Sequence, residues 1–265
     1  MTMKIISFNI WDLPFLFVKE RYKRVGLIAK YLSELDADII CLQESFDVDD
    51  RKLIYNFLAS KGYYATRGLD KKRLVPFTIL DTTGGLVIFS KFKIKEDKFT
   101  PFKIFEYSIF EYFGRKGILE AVLETPAGSL YVVNSHLHSG DYNFDQKIRS
   151  SQLKRIFEIV SRRKELPAIF TGDLNQHGIT DTEDAQLFLE NGFIHPVLVK
   201  EEIIIPSYRL ENPLVNRLRT KKSARLDYIF VKNITKYNFK IDSYSPIHLK
   251  PALSDHDPVM LLLSR

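Results

Sequence analysis

The chain has a single cysteine, Cys41, in 265 residues. No intrachain disulfide can form, and such sparing use of cysteine fits a reducing compartment. No run reaches the roughly 18 apolar residues of a helical membrane span. The opening "MTMKIISFNIWDLPFLFV" carries one lysine, and Asp12 and Pro14 interrupt its apolar stretch, unlike a secretory leader. These absences lead us to expect a cytoplasmic protein with no transmembrane segment. No Cys/His spacing suits zinc. No glycine-rich loop followed by Lys-Ser or Lys-Thr suits a nucleotide-binding P-loop; "DTTGGL" is too short and lacks the lysine. Linkers, repeats and low-complexity tracts are also missing, so residues 1–265 are expected to form one domain.

What remains is an ordinary globular composition, 45% hydrophobic, with a formal net charge of +6. A basic surface favours phosphate-rich partners, although mild basicity is also common without any such role. Short runs rich in Val, Ile and Phe recur between turn residues: "KIISFNI" (4–10), "ADIICLQ" (37–43), "GLVIFS" (85–90), "GILEAVLE" (117–124), "SLYVVNSH" (129–136), "PAIFTGD" (167–173), "LDYIFV" (226–231) and "PVMLLL" (258–263). "ETPAGS" between two of them predicts a hairpin turn. Helical spacing appears in 19–35, through Tyr22, Val25, Ile28, Leu32 and Leu35, and in 143–163, through Ile148, Leu153, Ile156, Phe157 and Val160. The segment 181–192 begins acidic and ends at Gly192, as helix dipoles and C-caps prefer. Alternating helices and strands, with hairpins among them, predict a four-layer α/β sandwich of two mixed sheets with helices outside.

Polar residues close these runs: Asn9, Glu44, His136, Asp173, Asn175, Asp227, Asp255 and His256. Each alone reads equally as a turn former, a cap or a solvated charge. Together they supply what metal-assisted phosphoryl chemistry needs. A hard cation such as Mg²⁺ is satisfied by one or two carboxylates. A histidine oriented by a carboxylate can accept a proton from water near neutral pH. Amide and imidazole N–H groups can stabilise phosphoryl oxygens.

The segments "SFNIW", "CLQES", "NSHLHSG", "TGDLN", "RLDYIFV" and "LSDHDPV" resemble, in order and context, the endonuclease/exonuclease/phosphatase superfamily over nearly the whole chain. "NIWDLPFLFVKERYKRVGLIAKYL", "SHLHSGDYN", "GDLNQH" and "EYFGRKGILEAVL" resemble its neutral sphingomyelinase branch. The resemblance implies a DNase I-like fold and Mg²⁺-dependent hydrolysis of a phosphate ester by water, with Mn²⁺ as a substitute ion. Phospholipid headgroup release is the implied reaction. An AP endonuclease or exonuclease, or an inositol or sugar phosphate phosphatase, is the alternative on the same fold. A hydrophobic anchor, present in membrane enzymes of the branch, has no counterpart in this sequence, which leaves a peripheral membrane contact and a monomer as the expectation.

On this resemblance Glu44 binds the metal, Asn9 supports it, and Asp255 completes the constellation. Asp173 and Asn175 position water and phosphate, His136 contacts phosphoryl oxygens, and His256 is the general base held by Asp227. His138 reads as a substrate contact or as a turn histidine, and Lys116 as a phosphate contact or as a solvated lysine. His177, His195 and His248 read as structural or exposed. Seven aromatics in 99–113, from Phe99 and Phe102 to Phe113, read as a lipid- or base-binding patch if exposed and otherwise as core.

Overall fold

The sequence alternates so that neighbouring residues of one strand enter different apolar layers. A computed structural model describes residues 2–13, 18–69, 83–103, 114–140, 142–176, 183–196, 205–217 and 222–265. Its elements run β1 (Thr2–Asp12), α1 (Arg21–Leu35), β2 (Ile39–Ser45), α2 (Val48–Ala59), β3 (Tyr64–Ala65), β4 (Val87–Ser90), β5 (Lys93–Pro101) and β6 (Gly117–Thr125). They continue through β7 (Gly128–His136), α3 (Asn143–Val160), β8 (Ala168–Asp173), α4 (Glu183–Glu190), β9 (Asp227–Lys232), β10 (Lys240–Pro246) and β11 (Val259–Ser264). One sheet has the order β10-β11-β1-β2-β4-β3, the other β5-β6-β7-β8-β9. Two pairs are parallel, β1–β2 and β7–β8, and α1 and α3 make their crossovers.

Ile5, Ile39 and Cys41 of the first sheet pack with Leu119, Val132, Ile169 and Ile229 of the second, which builds the layer between the sheets. One residue along β1, Ile6 joins Phe8, Val25, Ile28 and Leu32 in a layer under α1 and α2. On the other side Tyr131, Val133 and Phe170 pack with Leu153, Ile156, Phe157 and Phe188 of α3 and α4. The result is the expected helix–sheet–sheet–helix sandwich. Among the described residues, no helix is long and apolar enough to cross a membrane.

All eight predicted runs are strands and all three helical segments are helices; the helices are shorter than expected, while β1, β2 and β11 run past their expected ends to Asp12, Ser45 and Ser264. The turn 161–163 is 3-10 rather than α-helical, and Gly192 takes the left-handed φ of +78° that its capping role needs. Tyr22, grouped by spacing with the apolar stripe, is 77% exposed instead. The structure adds α2, whose Asp47 caps the helix by accepting from the Asp49 and Asp50 amides. It also adds the short β3 and the edge strands β5 and β10. Gly172 explains itself by close approach: a Cβ there would overlap the Ser135 carbonyl oxygen on the neighbouring parallel strand.

Candidate active site

Register brings three of the predicted residues into one row. His136 lies opposite Asp173 in the parallel β7–β8 pair, and Asp173 lies opposite Asp227 in the antiparallel β8–β9 pair. The other sheet contributes Asn9 and Glu44. β1 does not stop at Asn9 but continues past a bulge to Asp12, with Trp11 held at φ +49°. This bend aims the Asn9 carboxamide across the sheet interface. Its Nδ2 donates to Glu44 Oε1 at 3.2 Å and to Asp173 Oδ2 at 2.9 Å, while its Oδ1 accepts from the Trp11 amide at 3.0 Å. Asn9 therefore meets the carboxylates through its N–H groups. Its expected support of the metal site is thus visible as orientation of Glu44, and Oδ1 keeps a second lone pair beyond the Trp11 bond.

Below this floor a polar seam fixes the two sheets in register. Gln43 donates to Ser7 Oγ at 3.1 Å and to Asn134 Oδ1 at 2.8 Å, and Asn134 donates to the Leu42 carbonyl at 2.8 Å. All of these side chains are fully buried, so each lost partner would leave an unsatisfied group.

Above it, His256 Nδ1 lies 2.8 Å from Asp227 Oδ2, and its Nε2 lies 3.7 Å from Asp173 Oδ2. Burial alone would lower the imidazole pKa. The carboxylates of Asp227, Asp173 and Asp255 outweigh it and hold His256 well above the usual histidine value. Burial likewise disfavours the Asp173 carboxylate, yet His256, His136 and the Asn9 hydrogen bond bring its pKa below the ordinary value. His136 Nε2 sits 3.6 Å from Asp173 Oδ2 and 3.9 Å from Glu44 Oε1, with Asn175 Nδ2 at 3.0 Å.

A strap with no recognisable motif, residues 205–217, completes this arrangement. Ser207 Oγ donates to Asp227 Oδ2 at 2.6 Å and accepts from the Asp227 and Leu226 amides. The Tyr208 ring leans on His256 with centroids 5.0 Å apart. Arg209 pairs with Asp257, and Asn212 donates to the Ser254 and Asp255 carbonyls. Sequence reading missed all four, since none lies in an apolar run or beside a quoted motif.

Glu44 is the strained carboxylate. It takes a left-handed φ of +52°, unusual for a residue with a side chain and a recurrent feature of functional sites. Burial, reinforced by the nearby Asp255, lifts its pKa from 4.5 to about 7, against the pull of Lys116, His256 and Asn9. Its Oε2 is shielded from solvent and has no hydrogen-bond partner. A hard divalent cation would satisfy this oxygen and remove the cost of burying its charge. Asp255 is also raised by burial, and accepts from Ser254 Oγ at 3.2 Å. Donor atoms of Asp173, Asp227 and His256 also lie within 4.8 Å of one another. That grouping is already spent on the His256–Asp227 hydrogen bond, so Glu44 with Asp255 fits a resident cation better.

The two expected substrate contacts are both buried, and the charge of Lys116 acts on Glu44. His138 is 2% exposed, beyond the end of β7, with Nε2 2.7 Å from Asp145 Oδ1 on α3 and its amide donating to Gln152. These contacts tie the loop leaving β7 to α3. Lys116 is 6% exposed and donates to the Leu137 carbonyl at 2.7 Å, beneath the site. Neither is a turn or surface residue either; both are buried parts of the frame. His195 is buried against Tyr228, Phe230 and Tyr244, with its pKa pushed down to about 3 by burial and by Arg225. His248 pairs with Asp257. Of the aromatic segment, Phe102 is buried and Phe99 packs on the core. Phe105, Tyr107, Phe110, Tyr112 and Phe113 lie outside the described residues, as does His177.

The endonuclease/exonuclease/phosphatase family model matches residues 6–256. A Drosophila melanogaster protein that carries the name neutral sphingomyelinase is 24% identical over 98% of this chain, which spans 60% of that relative's length. A Staphylococcus aureus beta toxin mutant with bound magnesium ions superposes with a TM-score of 0.74 and 21% identity, over 98% of this chain and 99% of that one. TDP2 of D. rerio, complexed with a single-strand DNA product, gives 0.75 and 20%, over 100% and 99%. These likenesses establish the fold.

Proposed function

The chain belongs to the endonuclease/exonuclease/phosphatase family, and from that premise we propose that it is a Mg²⁺-dependent phosphodiesterase that releases a phospholipid headgroup. The observation that carries the reading is the meeting of Glu44, with its unpartnered buried oxygen, and the Asp227–His256 pair at one mouth. Glu44 and Asp255 would hold the cation, which when bound neutralises phosphoryl charge and stabilises the leaving oxygen. With a cation held by Glu44 and Asp255, the carboxylate fields that raise the His256 pKa would be offset, and Nε2 of the neutral ring would then take the proton from the attacking water. Asp227, on Nδ1, fixes the tautomer and carries the imidazolium that results. Ser207 keeps the Asp227 carboxylate turned toward the ring. Asp173 and Asn175 orient water and phosphate, and His136, whose Nε2 accepts from Asn175 Nδ2, lies beside them to contact the phosphoryl group.

The lipid substrate is supported by the likeness to the Drosophila relative, which runs over 98% of this chain and 60% of that protein. The fold likeness does not discriminate, since the beta toxin and TDP2 superpose equally well. The deciding assay compares sphingomyelin in mixed micelles with abasic-site and single-stranded DNA, with Mg²⁺, with Mn²⁺ and with EDTA. Lipid cleavage abolished by EDTA is the expected outcome. DNA cleavage without lipid cleavage would reassign the substrate while leaving the chemistry intact.

A further inference from the structure

Arg24 is the least expected buried group near the site. It is 3% exposed, and among the described residues no carboxylate forms an ion pair with it. Its guanidinium spends itself on four backbone carbonyls. Nε donates to Lys19 at 2.9 Å, Nη1 to Ile10 at 3.1 Å and to Leu253 at 2.7 Å, and Nη2 to Trp11 at 2.8 Å. The same group lies over the Trp11 ring, 5.0 Å from its centroid.

These carbonyls belong to the two arms of the site. Ile10 and Trp11 directly follow Asn9, in the bulged stretch where Trp11 adopts its left-handed backbone. Leu253 precedes Ser254, Asp255 and His256. Ser254 Oγ adds a second tie, donating to the Asn9 carbonyl at 2.7 Å. A buried cation without an ion-pair partner is costly, and a methionine of similar length would fill the space at lower cost. A guanidinium is the side chain that can bridge several acceptors in one plane. Asp255, Asp12 and Glu44 stand around it at longer range, and their fields offset part of its burial.

We propose that Arg24 is a positioning residue: it clamps the Asn9 arm to the Asp255–His256 arm and so sets the spacing between the cation site and the general base. The inference rests on the phosphodiesterase reading. The clamp acts on backbone, so it governs geometry and leaves substrate contacts alone. Its signature is a loss in kcat with little change in KM, and a weaker response to the ion.

The test uses the full chain with Arg24→Gln, Arg24→Lys and Ser254→Ala, each checked for folding by circular dichroism and urea titration. Turnover of a water-soluble diester, bis(p-nitrophenyl) phosphate, is read against Mg²⁺ concentration and normalised to folded protein. Arg24→Gln is expected to lose about tenfold or more in kcat, the size of a modest misplacement of reacting groups. Its KM should stay within about twofold, and half-activation should need more Mg²⁺. Arg24→Lys should recover part of the loss, and Ser254→Ala should move the same way by a smaller factor. Wild-type kcat in folded Arg24→Gln, or a loss that tracks the folded fraction alone, overturns the clamp. A wild-type chain with neither turnover nor a Mg²⁺-dependent rise in Tm overturns the phosphodiesterase reading, and the clamp with it.

Discussion

His256→Ala is expected to lower kcat about 10²–10⁴-fold, the range for loss of a general base. That corresponds to about 3–5 kcal/mol of transition-state stabilisation. The size follows from the geometry. His256 Nδ1 is 2.8 Å from Asp227 Oδ2, so its Nε2 is the nitrogen left for the water. Asp227→Asn keeps the shape but offers the ring a mixed donor and acceptor, and turnover should fall substantially. The double variant should be little worse than His256→Ala alone, because Asp227 acts through the ring. Folding must be followed in parallel. Without the imidazole, the fully buried Asp227 carboxylate keeps, among the described residues, Ser207 as its side-chain partner. Near-normal turnover by a folded His256→Ala protein would remove the residue from the mechanism.

Glu44→Gln should separate binding of the ion from stability of the fold. In the folded chain the Glu44 pKa is raised from 4.5 to about 7, first by burial and then by Asp255. Between those values the folded state holds more protons than the unfolded state, so stability falls as pH rises through that window and the loss is complete above about pH 7. A shift of this size is worth about 3 kcal/mol. The neutral glutamine escapes the cost. In EDTA at pH 8 the variant is therefore expected to melt several degrees higher than wild type, at about 2–4 °C per kcal/mol for domains of 150–250 residues. Near pH 4.5 the two should converge. With Mg²⁺ the order should narrow or reverse, because only wild type gains binding energy from the ion. Equal Mg²⁺-dependent rises in the two proteins would take Glu44 out of the cation site.

The central strands and the residues at their ends were legible because apolar runs and polar terminators are local signals. The edge strands β5 and β10 were not. "KIKEDKFTP" and "KIDSYSP" carry charges and small polar groups, as edges facing solvent do. Helix α2 was hidden by its acidic opening, "DVDD", which is a capping signal and not an apolar stripe. The same logic divides the candidate site. Glu44, His136, Asp173, Asn175, Asp227, Asp255 and His256 lie in quotable motifs. Ser207, Tyr208 and Asn212 meet partners 20 or more residues away, and Arg24, although inside a quoted segment, reaches Leu253 229 residues on, so only the folded topology brings these partners together. His138 and Lys116 lie in quoted motifs, but their burial and their bonds to Asp145 and the Leu137 carbonyl depend on contacts made only in the fold.

Cys41 sits at the centre of the layer between the sheets, fully buried, with its thiol pKa pushed up to about 12 by that burial. In the native state it offers neither access nor thiolate to an electrophile. A maleimide or disulfide reagent can reach it only when the two sheets part. The chain has no other cysteine, so each labelled molecule records one such separation. The lone thiol is thus an intrinsic probe of parting of the sheets, and at reagent concentrations where labelling outpaces reclosing it reads the opening rate of the sandwich.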